Sequence, residues 1–264
     1  MNTDPAPPFA PHVLQRPATR GLDVVTKLRH FALITYAVPP ERVRPLVHPR
    51  FDLDTSPGPD GQPALWVSVV PFEDADFHFA RLPQANFRFG QTNYRTYVID
   101  RVTGQAAVWF FGTTLGGWPV VIPRYLWRLP WHRGRIRFET HYDAQQKRYT
   151  RYRMTTASPW AAATLELEDS GAPVASLDGF SDLEAGWFKL THPLVGAYFR
   201  RDGRLGSYSV WHDRLQCTVG RIRQARFALL DRLGLVPFEA QSSAHSVLIQ
   251  PETEFIVKLP PRPL

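Results

Sequence analysis

Two short stretches of the chain carry the residue types from which a binding or reaction site could be built. The first is Asn93-Tyr94-Arg95, in which an amide and a guanidinium lie two positions apart. On a β-strand this spacing places both side chains on one face. A buried arginine needs an anionic partner, and its planar fork suits a carboxylate. The spacing alone favours an internal ion pair or a solvent-facing strand, so a ligand contact at Asn93 and Arg95 is a hypothesis.

The second stretch is RYLWRLPWHRGRI, residues 124–136, which combines aromatic rings, arginines and one histidine. We expect Trp127, Leu129 and Trp131 to form a core or pocket wall, while the arginines Arg128, Arg133 and Arg135 can reach solvent. Histidine acts near neutral pH as an acid, a base or a hydrogen-bond donor. A lone histidine is more often structural, so a catalytic role for His132 is the less favoured interpretation of the spacing.

Other catalytic signatures are missing from the sequence. The nine histidines show no metal-ligand spacing, and Cys217 is the only cysteine. We therefore expect no metal site and no intrachain disulfide. The chain has neither a GxSxG motif nor a Gly-Lys-Ser/Thr loop, which argues against a nucleophilic serine and a phosphate-binding loop. We expect no cofactor.

The composition indicates a folded, mostly β protein. Of the 264 residues, 44% are hydrophobic and 13% aromatic, which is enough for a substantial core. The 25 prolines and 17 glycines predict many short elements, and aromatic residues favour strands. We predict one antiparallel β-domain with a few short helices over residues 27–264, preceded by a proline-rich N-terminal tail over residues 1–26.

The individual elements follow from local patterns. We predict strands where apolar, β-branched and aromatic residues cluster or alternate: 27–38, 64–72, 92–100, 105–114, 133–142 and 147–157. The glycine-containing turn RVTG joins the third and fourth of these in a hairpin. Segments 181–190 and 223–235 show helical patterns, and segment 73–90 is typical of a loop.

The charge distribution bears on the partners. The formal net charge is +7, but the 27 arginines and four lysines are scattered over the whole length and interleaved with acidic residues. This distribution argues against nucleic-acid binding, which needs a concentrated basic surface. No segment is long and apolar enough to span a bilayer, and the first residues do not form a secretory signal. We expect a soluble cytoplasmic protein without a membrane or nucleic-acid partner, and leave homo-oligomerisation open.

Several segments, taken in order, resemble a known family. They are ITYAVPPERVRPLVHPRFDLDT, WVSVVPFE, TNYRTYVID, AVWFFGTTL, RYLWRLPWHRGRI and LTHPLVGAYFRRDGRLGSYSV. Together they resemble the YqjF-like family, a bacterial family of unknown function grouped with the acetoacetate-decarboxylase-like superfamily. The resemblance runs from about residue 28 to about residue 236. It implies a cone-shaped, largely antiparallel β-barrel that encloses a central cavity.

The same resemblance implies that the superfamily's covalent chemistry is missing. Acetoacetate decarboxylases form a Schiff base with a β-keto acid through the first lysine of a Pro-Lys-Lys stretch, and a pocket that lowers its pKa makes this lysine nucleophilic. In this chain Trp131 and His132 stand in the places of the two lysines, and neither side chain can form an imine. A glutamate of the family falls at or near Asn93. The four lysines, Lys27, Lys147, Lys189 and Lys258, are all distant in sequence.

We therefore expect a cavity protein that binds a small, largely apolar organic molecule with a carboxylate or carbonyl group. Arg95 would contact the anion, and Asn93 and His132 would donate or accept hydrogen bonds. The cavity wall would consist of Trp109, Trp127 and Trp131. Whether a reaction occurs is open. The alternative functions are a lyase or decarboxylase that acts on a keto acid by a non-imine or relocated-lysine mechanism, and a basic module that binds nucleic acid.

Overall fold

A sheet of fourteen strands makes up most of the protein in the computed structural model, which describes residues 9–117 and 121–264. The strands are Val24–Val38 (β1), Phe51–Leu53 (β2), Ser56–Pro57 (β3), Pro63–Phe79 (β4), Phe87–Asp100 (β5), Ala106–Leu115 (β6), Trp131–Arg133 (β7), Arg135–Asp143 (β8), Arg148–Ala157 (β9), Ala163–Pro173 (β10), Val195–Phe199 (β11), Leu205–His212 (β12), Thr218–Phe227 (β13) and Ser246–Pro263 (β14). The short α-helices are Pro11–Leu14 (α1), Pro40–Val43 (α2), Val121–Leu126 (α3), Leu183–Thr191 (α4) and Ala228–Arg232 (α5), and 3-10 turns occupy Arg44–Leu46 and Phe238–Ala240.

The sheet closes on itself as a seven-stranded barrel. Its strands follow the order β1-β4-β5-β6-β11-β12-β14, and β14 pairs antiparallel with β1 to complete the ring. The β6–β11 pair is parallel, and the other pairs of the ring are antiparallel. Closure leaves the ring without a free strand edge. The structure thus confirms the mostly β, largely antiparallel barrel.

A second layer covers the outer face of the barrel. Strand β14 also pairs with β13, and the sheet continues through β10, β9 and β8. A large hydrophobic core lies between the layers, with Tyr36, Val67 and Tyr94 from the barrel and Tyr152 and Leu165 from the second layer. Burial of these large side chains stabilises the contact between the layers, since each contributes in proportion to the apolar area that it removes from water.

The alternate residues of the barrel strands face the interior, where they meet α4. Trp187 and Leu190 of α4 belong to a second hydrophobic cluster with Tyr97 of β5. The Tyr97 hydroxyl donates a hydrogen bond of 2.9 Å to the carbonyl oxygen of Leu190. Asp182 caps α4, because its carboxylate accepts a 2.8 Å hydrogen bond from the amide of Ala185. Helix α4 therefore closes one end of the barrel, and the helix predicted over 181–190 is confirmed with slightly shifted ends.

Two element predictions are wrong. Segment 73–90 is mostly strand, because β4 continues to Phe79 and β5 begins at Phe87. Asp74, in this segment, pairs with Leu28 of β1 and Phe89 of β5. The helix predicted over 223–235 shortens to α5.

The start of that predicted helix belongs to β13. Ala225 and Phe227 are buried at alternating positions and pair with Leu165 and Ala163 of β10. The exposed Arg226 between them is compatible with a helix or a strand, and its pairing with Thr164 of β10 places it in the strand.

The chain before β1 lies against the barrel where it is described. Phe9 packs edge-on against Phe188 with ring centroids 5.2 Å apart. Arg16 forms an ion pair of 2.6 Å with Glu254 of β14. Residues 1–8 of the predicted tail lie outside the described residues. Over the part of the chain described, no helix has the length and apolar character needed to cross a bilayer.

One buried carboxylate joins three strands of the second layer. Asp169 accepts hydrogen bonds from the Tyr149 amide at 2.8 Å, the Gly171 amide at 3.0 Å and the Thr218 hydroxyl at 2.7 Å. Removing it leaves the Tyr149 amide buried without a partner, which is costly.

We expect Asp169→Ala to lower the free energy of unfolding by about 2 to 4 kcal/mol. The matched control is Glu168→Ala, which removes only an exposed ion pair with Arg223 and should cost less than about 1 kcal/mol. Denaturant titration followed by tryptophan fluorescence measures both. Equal stability of the two variants would show that Asp169 does not link the strands energetically.

Candidate functional site

The barrel encloses a cavity of about 200 Å³. All seven strands of the ring contribute residues to its lining, together with the chain around β7 and the end of α4. Aromatic rings dominate the lining: Phe31, Phe72, Phe77, Phe79, Phe87, Phe110, Trp127, Trp131, Tyr208 and Phe255. A mostly apolar cavity with a few polar groups is the usual form of a small-molecule site.

Strand β5 supplies a polar row on one side of this cavity. Gln91, Asn93 and Arg95 all line it, since every second residue of a strand points to the same face. The side-chain oxygen of Asn93 accepts hydrogen bonds from the Gln91 amide at 2.9 Å and from the Thr113 hydroxyl at 2.8 Å. These bonds fix the orientation of the Asn93 amide, so its NH₂ group is the part that it can offer to a ligand.

The guanidinium of Arg95 is bonded to a carbonyl and not to a carboxylate. Its Nη2 donates a hydrogen bond of 3.2 Å to the backbone oxygen of Leu190, near the C-terminus of α4. Its Nε is buried and has no hydrogen-bond partner among the described residues. The group also lies 5.8 Å from the centroid of the Tyr97 ring. Among the described residues no carboxylate pairs with Arg95. The internal ion pair that its spacing favoured is therefore not found there.

A buried acid lies further along the same cavity. Asp74 of β4 is 3% exposed and lines the cavity. Its Oδ1 accepts a hydrogen bond of 3.0 Å from the Thr26 hydroxyl, and its Oδ2 is buried without a partner in the described structure. Burial raises the pKa of Asp74 to about 7, and the neighbouring charge of Glu73 adds to this rise while the Thr26 bond opposes it. At neutral pH this carboxyl can therefore hold or release a proton.

Asp74 was not among the predicted site residues, because it falls in the segment predicted to be a loop. A usable signal was present, since positions 70, 72 and 74 continue one alternation from the strong strand WVSVVPF. Val70 and Phe72 line the cavity with Asp74.

Strand β12 contributes Tyr208 and His212 to the lining. Burial raises the pKa of the Tyr208 hydroxyl above its ordinary value, and the charges of Arg95 and Asp74 act on it in opposite directions. Burial lowers the pKa of His212 to about 3, so this imidazole is neutral. Its Nδ1 donates a hydrogen bond of 2.7 Å to the backbone oxygen of Asp213, because a carbonyl can only accept.

Four of the six site residues predicted from the sequence come together on the cavity: Asn93, Arg95, Trp127 and Trp131. The structure corrects the position of the fifth, Trp109. Its ring packs against Phe51 and Phe199 outside the cavity, and its indole nitrogen donates to the Leu46 carbonyl at 3.0 Å. The neighbours of Trp109 on β6, Val108 and Phe110, face the cavity, so alternation turns Trp109 outward.

The structure also corrects the position of His132. This ring does not face the cavity but stacks on Trp160 with centroids 3.8 Å apart. Trp131 and His132 are consecutive residues of β7, so they point to opposite faces, and Trp131 takes the inward one. Burial, aided by the positive charge of Arg124, lowers the pKa of His132 to about 4. His132 is therefore a neutral packing residue on the far side of β7.

The lysines lie elsewhere. Lys27 is 3.7 Å from Glu252, Lys189 is 2.8 Å from Asp54, and Lys258 is 2.9 Å from Asp23. Lys147 is exposed in the turn between β8 and β9. The described lining of the cavity contains no lysine. Within the same ranges, no three His, Cys, Asp or Glu side chains gather as a metal ion would require.

The family follows from a comparison with family models. The model DUF2071, described as "Uncharacterized conserved protein", matches residues 25–254. The chain belongs to this family. No curated protein matches the sequence of this DUF2071 protein.

Solved structures share the fold. The acetoacetate decarboxylase of Legionella pneumophila superposes with a TM-score of 0.58 at 13% sequence identity, over 96% of this chain and 94% of that one. An acetoacetate decarboxylase-like enzyme from Sphingomonas wittichii RW1 gives 0.58 at 10% identity, over 91% and 92%. The enduracididine biosynthesis enzyme MppR, complexed with the condensation product of pyruvate and imidazole 4-carboxaldehyde, gives 0.55 at 13%, over 94% and 90%. The DUF2071 protein therefore has the acetoacetate-decarboxylase-like fold that its sequence resemblance implied.

The raised pKa of Asp74 predicts a pH-dependent loss of stability. The folded carboxyl has a pKa of about 7 against an ordinary value of 3.8. The unfolded chain therefore releases this proton first, and folding stability falls as the pH rises between the two values. We expect Asp74→Asn, which keeps an acceptor for Thr26, to be more stable than the parent, by up to about 4 kcal/mol at pH 8 and by much less at pH 4.

Chemical denaturation at a series of pH values measures this difference. Asp76→Asn changes an exposed carboxylate on the same strand and serves as the control, with a stability change that should stay small at every pH. An Asp74→Asn gain that does not vary with pH would refute the buried-acid assignment.

Proposed function

We propose that this DUF2071 protein binds a small, largely apolar organic acid, keto or carboxylic, in the barrel cavity, and that it binds this ligand without a Schiff base. The proposal rests on the surroundings and the hydrogen bonding of the Arg95 side chain. Its guanidinium lines an apolar cavity, bonded to one carbonyl and with a buried Nε that has no partner among the described residues. A cation in such surroundings is poorly compensated, and a ligand carboxylate would supply both the missing charge and the missing acceptor.

The neighbours of Arg95 support the same ligand class. The Asn93 NH₂ group lies two positions along the same strand face and can donate to a carbonyl or carboxylate oxygen. Rings such as Phe110, Trp127 and Trp131 offer apolar surface to the rest of the ligand.

Support for non-covalent binding comes from β7 and from the lysines. Trp131, which stands in place of the imine-forming lysine in the resemblance, points into the cavity. Lys27, Lys189 and Lys258 are engaged by carboxylates outside it. The relatives of the same fold are named for acetoacetate and shown with pyruvate, so these two keto acids are natural first probes.

A lyase acting on a keto acid by a non-imine mechanism is the second candidate, and Asp74 is the observation that favours it. An acid with a pKa of about 7 inside a cavity can donate or accept a proton at neutral pH without a covalent intermediate. This candidate shares the Arg95 contact with the first and differs only in turnover.

We expect Arg95→Gln to weaken the binding of an organic acid by about 30-fold or more, because the ligand carboxylate loses the cation that lines the apolar cavity. Isothermal titration of the folded variant and the parent measures the change. Arg153→Gln, at an exposed position of β9, is the control and should bind as the parent does. Equal affinity of Arg95→Gln and the parent would overturn the role of Arg95.

Borohydride treatment in the presence of acetoacetate or pyruvate tests the covalent question. Borohydride reduces an imine to a stable adduct, and only a lysine or the chain's α-amino group can form that imine. We expect the intact mass to stay unchanged. A mass increase located by peptide mapping to Lys27 or Lys189 would support the relocated-lysine alternative and refute non-covalent binding.

A further inference from the structure

The two charged groups of the cavity lie far apart along its length. Asp74 of β4 pairs with Phe89 of β5, and Arg95 follows Phe89 by six positions on the same strand. At about 3.3 Å per residue, the backbones at the two sites are roughly 20 Å apart. The charges of both side chains nevertheless act on the pKa of the Tyr208 hydroxyl, which lines the cavity with them. Arg95 lies at the end closed by α4, where it bonds to Leu190.

Asp74 lies toward the opposite end. The lining there includes Phe77, Phe79 and Phe87, which are only half-buried. The acid itself is almost fully buried, so it is inside the cavity and not at its rim. A ligand that entered at this end and reached Arg95 would pass Asp74.

The surroundings of Asp74 leave one of its oxygens without a donor. Strand β1 provides Thr26, which bonds to Oδ1, and β5 provides the ring of Phe89 at the paired position. The charge of Asp74 acts on the pKa of Tyr208 of β12. The charge of Glu73, on β4 itself, raises the pKa of Asp74. Among the described residues none donates to Oδ2. A buried carboxylate oxygen without a donor is costly, and a ligand that brings one relieves this cost.

We propose that Asp74 is a second recognition group and that the cavity takes an elongated organic acid with a hydroxyl group at its far end. The ligand carboxylate would contact Arg95, its apolar, ring-sized middle would lie against the aromatic lining, and its hydroxyl would donate to Oδ2 of Asp74. The inference rests on the proposed function for the Arg95 contact and adds the length and the distal chemistry of the ligand.

The charge and the burial of Asp74 disfavour two other kinds of group at the far end of the ligand. A ligand with a second carboxylate at its far end would place two anions together in an apolar cavity, where neither can be solvated. A far end without polar atoms would leave Oδ2 buried and unsatisfied. A hydroxyl supplies the donor without adding a charge that must be desolvated.

Three matched acids test the inference: 3-(4-hydroxyphenyl)propanoate, 3-(4-methoxyphenyl)propanoate and 3-phenylpropanoate. We expect the hydroxyl compound to bind at least about tenfold more tightly than the other two at pH 8, because a hydrogen bond to a buried carboxylate is charge-assisted. The advantage should shrink at pH 6, where Asp74 is mostly protonated. Isothermal titration at both pH values gives the affinities.

Variants separate the two contacts. Asp74→Asn keeps an acceptor for Thr26 but turns an NH₂ group toward the cavity, so it should lose the advantage of the hydroxyl compound and keep the affinity for 3-phenylpropanoate. Arg95→Gln should weaken all three acids together. Melting curves establish that each variant is folded.

The outcomes distinguish this inference from the proposed function. If the three acids bind equally, with dependence on Arg95, the role of Asp74 is refuted and the proposed function stands. If acetoacetate or pyruvate binds through Arg95 and none of the aryl acids binds, the elongated-ligand inference is refuted alone. If no acid binds in an Arg95-dependent way, both proposals are refuted.

Discussion

The pairing of β14 with β1 is the constraint on which the rest of the structure depends. It closes seven strands into a ring, and every second side chain of those strands then faces a common interior. Ring closure thereby converts a set of ordinary strands into a cavity. A polar residue at an inward position then lowers the stability of the fold unless a hydrogen-bond or ion-pair partner satisfies it.

Among the described residues that line the cavity, two remain incompletely satisfied. Arg95 keeps a buried Nε without a described partner, and Asp74 keeps a buried Oδ2 in the same condition. Apolar side chains at both positions would cost less in stability, since a buried charge is weakly compensated by one hydrogen bond. Such residues are typical of binding and catalytic sites, where the missing partner is the ligand. The same two residues place charged groups on β5 and at the far end of a lining that is mostly apolar.

The fold of this protein and the chemistry of its site depend on different properties of its residues. Its barrel matches that of acetoacetate decarboxylase-like enzymes at 10% to 14% sequence identity, because a closed sheet needs only alternation and volume from its residues. Chemistry needs particular groups at particular inward positions. In this chain Trp131 lines the cavity with its indole ring. The fold therefore gives the shape of the site, and the side chains of this chain give its proposed ligand class.

The sequence by itself determined much of this arrangement. Its aromatic and β-branched segments predicted most of the strands, and the two-residue spacing of Asn93 and Arg95 placed them on one face, as the structure has them. It could not determine which face is the inner one. On β6, Val108 and Phe110 line the cavity while Ala107 and Trp109 belong to the outer core, so apolar residues occupy both faces and the pattern does not show which face is inward. Trp109 and His132 were expected inward and lie outward for this reason, and Asp74 was hidden in a predicted loop. Only the closure of the barrel decided which residues share the interior.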